Sequence, residues 1–146
     1  MASRSQLETL IDLAQRATDA AAKRLGAALS AVQAAEQQLQ MLLSYRDDYA
    51  ARFDASLANG MTPSAYRNFQ AFMGKLDAAI AGQQEVLRHA RRRGEAEKDA
   101  WQGCERKRMS YTTLEGRAQQ AAQQVEAKRD QKLMDEHAAR QAYYKR

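Results

Sequence analysis

The stretch Leu57-Ala58-Asn59-Gly60-Met61-Thr62-Pro63-Ser64 contains the strongest turn signal in the chain. Its Asn-Gly pair favours a tight turn, and the only proline of the sequence follows shortly after it. Thr62 has the side chain of a helix N-cap, and Pro63 suits the first helical position because that position needs no backbone N–H donor. We therefore predict a chain reversal over about residues 58–62 and a helix that begins at about residue 63.

The sequence on both sides of this turn has the composition of long helices. Ala, Arg, Leu, Glu and Lys supply 75 of the 146 residues. Ser5 and Glu8 have the spacing of a capping box directly before apolar residues at helical intervals. Beyond the turn only single glycines interrupt the pattern, and these weaken a helix without ending it. We predict helix one over about residues 6–57 and helix two over about residues 63–142, within a single domain of residues 1–146.

Both predicted helices carry residues at alternating steps of four and three, the pattern of a coiled-coil seam. In helix one these are Leu25, Leu29, Val32, Glu36, Leu39, Leu43, Arg46, Ala50, Phe53 and Leu57. In helix two they are Phe69, Met73, Leu76, Ile80, Gln83, Leu87, Ala90, Gly94, Glu97, Trp101 and Cys104. The pattern predicts an all-α fold in which two long helices form an antiparallel coiled-coil hairpin with a C-terminal helical overhang. Pairing between two chains would bury the same stripe.

The composition also excludes several classes of protein. Leu, Val, Ile and Phe together number 21, about 14% of the chain, which is too few for a thick globular core. A pair of helices offers no enclosed pocket, so we predict neither an enzyme nor a cofactor site. Asp135, Glu136 and His137 are adjacent and point in different directions on a helix, so we predict no metal site. No signal peptide or membrane span is expected.

The net charge of +5 is concentrated in residues 88–108, which carry eight basic and four acidic side chains. A nucleic-acid-binding surface needs stacking or base-reading groups among its charges, and only Trp101 and Tyr111 lie near this segment. We therefore expect no nucleic-acid partner. The segment is better explained as a solvated helix face that also meets an acidic partner.

A second stripe lies beside the predicted seam near the turn. On helix one it consists of Gln38, Leu42, Tyr45 and Tyr49, and on helix two of Phe72, Leu76 and Ala79. Six of the ten aromatic residues fall within residues 45–72. Two interpretations remain open at this point: a core that widens near the turn, or an exposed strip that binds a partner.

Several segments carry a resemblance to a known family. The longest are Leu7-Glu8-Thr9-Leu10-Ile11-Asp12-Leu13-Ala14, Glu36-Gln37-Gln38-Leu39-Gln40-Met41-Leu42-Leu43-Ser44-Tyr45 and Asp130-Gln131-Lys132-Leu133-Met134-Asp135-Glu136. Together with Tyr49, Asn59-Gly60, residues 68–72, residues 76–80 and Trp101, they resemble the FliJ family of flagellar export proteins. The resemblance implies a two-stranded antiparallel coiled coil similar to the central stalk of rotary ATPases.

The resemblance also implies a function in the flagellar type III protein export apparatus. A FliJ-like protein is expected to be cytoplasmic and peripherally associated with the inner-membrane apparatus at the flagellar base, without inserting into the membrane. Its expected partners are the hexameric flagellar export ATPase, whose ring assembly it promotes, the cytoplasmic domain of the export gate membrane protein, and substrate-specific export chaperones. A generic coiled-coil scaffold or chaperone and, less favoured, a basic nucleic-acid-binding helix protein remain alternatives.

Carried over residue by residue, the gate-binding strip of the family corresponds to the second stripe described above. Its members are Gln38, Leu42, Tyr45, Tyr49, Phe72, Leu76 and Ala79. Position 83 departs from the family pattern, because this chain has Gln83 where a histidine would extend the strip. Analogy to the rotary stalk places ATPase binding at the start of helix one and in residues after about 110, without assigning individual residues.

Overall fold

The computed structural model describes residues 4–145 of the chain. Within that range it consists of two helices, α1 (Arg4–Ala58) and α2 (Pro63–Tyr144), with no strand. The all-α hairpin is confirmed, since the two helices pack against each other. Each outer helix end extends two residues beyond its predicted position. The expectation that there is no signal peptide rests partly on Met1 to Ser3, and these residues lie outside the described range.

The turn between the helices has the predicted chemistry. Gly60 has a φ of 95°, a left-handed conformation that glycine adopts without a steric penalty. Its backbone N–H donates to the carbonyl of Leu57 at 3.2 Å, which closes the end of α1. At the start of α2, the Thr62 hydroxyl oxygen accepts a hydrogen bond from the backbone N–H of Ala65 at 3.1 Å. Thr62 is therefore the N-cap of α2, as predicted.

The predicted capping box at the start of α1 is wrong. Ser5 lies inside the first turn of the helix, where its carbonyl accepts a hydrogen bond from the Thr9 hydroxyl at 3.0 Å. Glu8 instead forms an ion pair with Arg4, with Nε and Oε1 3.6 Å apart. This pair spans one helical turn and favours helix up to Arg4, one residue before the predicted cap.

The chain divides into two compact units, Asp19–Gln102 and Met1–Thr18 with Gly103–Arg146. In the first unit, the large buried side chains come from α2, namely Leu76, Ile80 and Leu87, whereas α1 contributes Ala21, Ala28 and Ala35. Small side chains on one helix facing large ones on the other allow the two helices to pack closely. In the second unit Ala14 and Thr18 are buried, and the Thr18 hydroxyl donates to the Ala14 carbonyl at 2.9 Å.

The predicted seam is confirmed in α2, where all its members are buried or half-buried. In α1 it is wrong at three positions, because Leu29, Glu36 and Leu57 are exposed. The neighbouring positions turn inward instead, namely Ala28, Ala35 and Ser56. The physical reason is that the large buried side chains of α2 leave room only for small ones opposite them, so Ala28 and Ala35 pack in the interface in place of the larger Leu29 and Glu36.

Contacts between the helices in unit Asp19–Gln102 fix an antiparallel register close to the prediction. Arg46 Nε lies 2.6 Å from Asp77 Oδ1, and Arg24 Nε lies 3.4 Å from Glu97 Oε2. The Asp77 carboxylate accepts a hydrogen bond from Arg46 and raises the pKa of that guanidinium. All residues from 116 to 145 are exposed, as expected for the predicted overhang. Neither described helix contains a run long and apolar enough to cross a bilayer.

Candidate partner-binding surfaces

The aromatic residues near the turn form one continuous cluster across the two helices. The Tyr49 ring lies between two phenylalanines of α2, with centroid distances of 5.0 Å to Phe69 and 4.5 Å to Phe72. Phe53 lies 5.2 Å from Phe69 and 5.6 Å from Tyr66. These separations are those of packed aromatic pairs. The cluster therefore widens the interface at the turn end of the hairpin.

The seven residues of the predicted gate-binding strip have different environments. Gln38, Tyr45 and Ala79 are exposed, Leu42, Tyr49 and Phe72 are half-buried, and Leu76 is buried with 7% of its surface accessible. Tyr45 is 50% exposed and lies at the edge of the cluster, 6.2 Å from the Phe72 ring. Thus Leu76 supports the surface from within, whereas Tyr45 is available to a partner.

Both interpretations of the aromatic stripe therefore apply to different residues. Tyr49 packs against Phe69 and Phe72, which corresponds to a widened core. Tyr45 presents half of its surface to solvent beside Met41, which is 66% exposed. An exposed tyrosine next to an exposed methionine is typical of a protein-binding surface. That the strip binds the export gate stays a prediction.

Gln83 has a structural role that the sequence did not indicate. Its side-chain amide donates a hydrogen bond to the backbone carbonyl of Ala35 at 3.1 Å, and this contact joins the two helices. Gln83 is half-buried in the seam, so its side chain is tied to α1 rather than extended along the predicted strip. The partner lies 48 residues away in the chain, and no local motif marks it.

The second unit contains a shallow groove at the terminal end of the hairpin. Arg4, Leu7 and Glu8 of α1 line it on one side, and Glu115, Ala118, Gln119, Ala122 and Gln123 of α2 line it on the other. Its volume is about 430 Å³. Apolar atoms of Leu7 and the alanines lie among charged and amide groups, so this groove can hold an amphipathic partner segment.

Residues after about 110 expose several large apolar side chains to solvent. They are Leu114, Val125, Leu133, Met134, Tyr143 and Tyr144, with exposed fractions from 48% to 81%. Isolated helices need tertiary support to be stable in water. The exposure of this segment is therefore consistent with the predicted ATPase-binding region, which stays a prediction.

The basic segment is partly neutralised by ion pairs. Arg88 pairs with Glu85 at 2.8 Å, Arg91 pairs with Glu36 at 3.2 Å, and Arg108 donates to Glu105. The Arg108 hydrogen bond lowers the pKa of Glu105. Among residues 4–145 there is no group of three or more His, Cys, Asp or Glu side chains that could hold a metal ion.

Comparison with known proteins identifies the family of the chain. The family model described as flagellar FliJ protein matches residues 3–146. This chain belongs to the flagellar FliJ family. It is 34% identical over 145 residues to the flagellar FliJ protein of Salmonella typhi and 32% identical to that of Escherichia coli strain K12. In both comparisons the alignment covers 99% of each chain.

The FliJ resemblance stated from the sequence segments is thus confirmed over nearly the whole chain. Membership of the FliJ family covers both the helices and the turn, because the match runs from residue 3 to residue 146. The comparison assigns no role to single residues. The functions of the aromatic cluster and of the terminal groove therefore have to be argued from their geometry.

Proposed function

We propose that this FliJ-family chain is a non-catalytic component of the flagellar type III export apparatus. In this proposal it binds the hexameric export ATPase as a stalk, promotes ring assembly, links the ring to the export gate and escorts substrate-specific export chaperones. It acts on the cytoplasmic side, peripherally associated with the inner membrane at the flagellar base. The observation that carries the proposal is the family match over residues 3–146.

The distribution of exposed groups supports two separate binding regions. At the turn end, Tyr45 is half exposed at the edge of the aromatic cluster. In the other unit, residues 116–145 are exposed throughout and include Gln119, Gln120, Gln123 and Gln124. Polar contacts from such a segment suit binding that must allow turning or exchange within a ring. We assign the turn end to the gate and the terminal end to the ATPase.

The ATPase assignment is tested by ATP hydrolysis of the cognate export ATPase near its assembly threshold, with ring formation followed by light scattering. We expect the full chain to increase both hydrolysis and hexamer formation. Removal of residues 124–146 is expected to abolish the stimulation. Residues 124–145 are exposed and line no described groove, so circular dichroism should still show a folded hairpin.

Tyr45→Ala is the matched control for the terminal truncation. This variant is expected to stimulate the ATPase normally and to lose binding to the cytoplasmic domain of the gate protein in a pull-down. The truncated chain is expected to show the opposite pattern. Failure of the full chain to change hydrolysis or assembly, under conditions in which the ATPase can assemble, would refute the stalk assignment.

A generic coiled-coil scaffold is the second candidate, and the packing of Tyr49 between two phenylalanines favours it for that residue. A scaffold predicts that tyrosine substitutions change only stability. A nucleic-acid-binding helix protein predicts a mobility shift of DNA or RNA that weakens steeply with salt. That shift would not depend on Tyr45.

A further inference from the structure

The coiled-coil spacing of α2 continues beyond the groove beside the start of α1. In the second unit, the half-buried residues Cys104, Arg108, Tyr111 and Glu115 follow alternating steps of four and three. The groove reaches along α2 only to Gln123. The same steps continue past it, at exposed positions that we call the overhang seam: Val125, Arg129, Lys132, Glu136, Ala139 and Tyr143. This spacing is typical of a surface that packs against another helix.

The charges in and beside the overhang seam complement one another when the order of the sequence is reversed. Beside the seam, Glu126 and Arg140 lie at equal distances before and after Leu133 and have opposite charges. Within the seam, Lys132 and Glu136 occupy the two central positions and also have opposite charges. Among residues 4–145, none of these four charged side chains forms an ion pair. The segment therefore matches a second copy of itself that runs in the opposite direction.

We propose that two copies of this chain pair antiparallel through residues 125–143, with Leu133 of each copy beside the two-fold axis. Leu133 is 59% exposed in the single chain and would contact its own copy. Glu126 would pair with Arg140 of the second copy, and Lys132 with Glu136 of the second copy. Because the two-fold axis repeats every contact, each of these ion pairs forms twice. At the two ends, the exposed side chains of Val125 and Tyr143 would pack against each other.

Charge selects this arrangement over its alternatives. A parallel pair would place each seam residue opposite its own copy, so that Arg129, Lys132 and Glu136 would each meet a like charge. An antiparallel pair shifted by one heptad would place Arg129 opposite Lys132 of the second copy. In the proposed register Arg129 lies opposite the small side chain of Ala139 and can reach solvent. On the other flank Asp135 faces its own copy, and Lys132, one turn earlier on the same helix, offsets this repulsion.

The paired segment is short, so we expect a dimer in equilibrium with the monomer. From Val125 to Tyr143 an α-helix rises about 27 Å, or about five turns, at 1.5 Å per residue. Its contacts are mostly exposed ion pairs, each of which contributes little. A helix of this length needs packing against a neighbour to be stable in water, and a second copy supplies it. Residues 125–143 lie in the region assigned above to the ATPase, and only the conclusion that self-pairing competes with ATPase binding rests on that proposed function.

The test measures the molar mass of the full chain by sedimentation equilibrium from micromolar to millimolar concentration. A reductant is present throughout, so that Cys104 cannot link two copies through a disulfide. We expect the average mass to rise with concentration from that of a monomer towards that of a dimer. Glu126→Arg places an arginine opposite Arg140 of the second copy and is expected to raise the Kd of the dimer by at least about tenfold. Arg140→Glu is expected to have the same effect, because it places two carboxylates opposite each other.

Mixing the two variants tests the register directly. In a mixed dimer, the arginine at position 126 of one chain faces the glutamate at position 140 of the other, and the native Arg140 faces the native Glu126. We therefore expect the mixture to dimerise with a Kd within about threefold of the wild-type value. Asp130→Arg makes the same charge change on the outer side of the helix and is the matched control, expected to change the Kd by less than about threefold. Helix content, measured for each variant by circular dichroism, excludes unfolding as the cause.

The outcomes for this inference and for the ATPase assignment are separable, because self-association is measured with the chain alone. A wild-type chain that stays monomeric over the whole range overturns the inference, whatever the chain does to ATP hydrolysis. A dimer that persists after removal of residues 124–146, or a mixture of the two variants that stays monomeric, overturns it as well. If the chain dimerises as proposed but leaves ATP hydrolysis unchanged, the self-pairing stands and the stalk assignment fails.

Discussion

Tyr45 and Tyr49 lie one helical turn apart on the same stripe, and the structure predicts that alanine substitutions at them have different costs. Tyr49 packs at 5.0 Å and 4.5 Å against two phenylalanine rings and is half-buried. Tyr45 is 50% exposed, and its ring pairs with Phe72 and Tyr49 lie at longer distances of 6.2 Å and 6.3 Å. We therefore compare the free energies of unfolding of the two variants Tyr49→Ala and Tyr45→Ala.

The magnitude follows from the ring contacts. Two close aromatic pairs contribute about 0.5–1.5 kcal/mol each, and truncation of a fully buried aromatic residue to alanine costs about 3–5 kcal/mol. For half-buried Tyr49 we expect the free energy of unfolding to fall by about 2–3 kcal/mol. For Tyr45 we expect a loss of about 1 kcal/mol or less. In a chain of this size each kcal/mol lowers the melting temperature by about 2–4 °C.

The assay is thermal and urea denaturation followed by far-ultraviolet circular dichroism, with unchanged m-values as the check that both variants unfold from the same hairpin. Tyr49→Phe is the matched control, because it keeps the ring contacts and removes only the hydroxyl. Equal melting temperatures for Tyr45→Ala and Tyr49→Ala would refute the division of the stripe into core and surface. If the division holds, Tyr45→Ala is the variant with which gate binding can be tested without a change in folding.

Three further substitutions test other contacts. Thr62→Ala removes the N-cap of α2 and is expected to lower the free energy of unfolding by about 1 kcal/mol in urea denaturation, whereas Thr62→Ser should retain most of it. Gly94→Ala is expected to stabilise the chain by about 0.5–1 kcal/mol in the same assay, because alanine favours the helix more than glycine does. The added Cβ would lie 3.7 Å from Val32 Cγ2, which is an ordinary van der Waals contact. A destabilised variant would show that the interface cannot accept a methyl group at this position. The hydrogen bond from Arg108 lowers the pKa of Glu105 in the folded chain. The ionised Glu105 carboxylate therefore stabilises the fold at pH values above the ordinary glutamate pKa of about 4.3. This stabilisation is lost as the pH falls through the lowered pKa of Glu105 in the folded chain. Arg108→Gln is expected to raise the pKa of Glu105 in an NMR titration, and an unchanged value would contradict the pairing.

The turn, the helices and the α2 seam were predictable because each depends on local chemistry or on large side chains. Asn59-Gly60 and Thr62-Pro63 determine their own backbone conformations, and Leu76, Ile80 and Leu87 are large enough to mark a seam by periodicity alone. The seam of α1 was not fully predictable. Alanine occurs both in helix interfaces and on helix surfaces, so the sequence pattern does not show that Ala28 and Ala35, rather than their larger neighbours Leu29 and Glu36, face α2.

The candidate surfaces were predictable only in part for a related reason. Periodicity places Tyr45 and Tyr49 on one stripe, but it cannot show how an adjacent helix divides that stripe between interior and solvent. That division depends on Phe69 and Phe72, which lie across the turn. The hydrogen bond from Gln83 to the Ala35 carbonyl likewise depends on the register of two distant segments, which no local pattern encodes.

The tight turn at Gly60 also determines the order in which the hairpin can assemble. Phe53 and Tyr66 meet across a short segment, whereas Arg46 and Asp77 are 31 positions apart in the sequence and Arg24 and Glu97 are 73 positions apart. Closing a loop costs more entropy as it lengthens, but once the aromatic rings have met, each further pair closes only a few additional residues. We therefore expect this unit to form from its aromatic end, with the Arg24–Glu97 contact forming after the Arg46–Asp77 contact. During synthesis, α1 must wait for the corresponding part of α2 to leave the ribosome before it can bury its alanines.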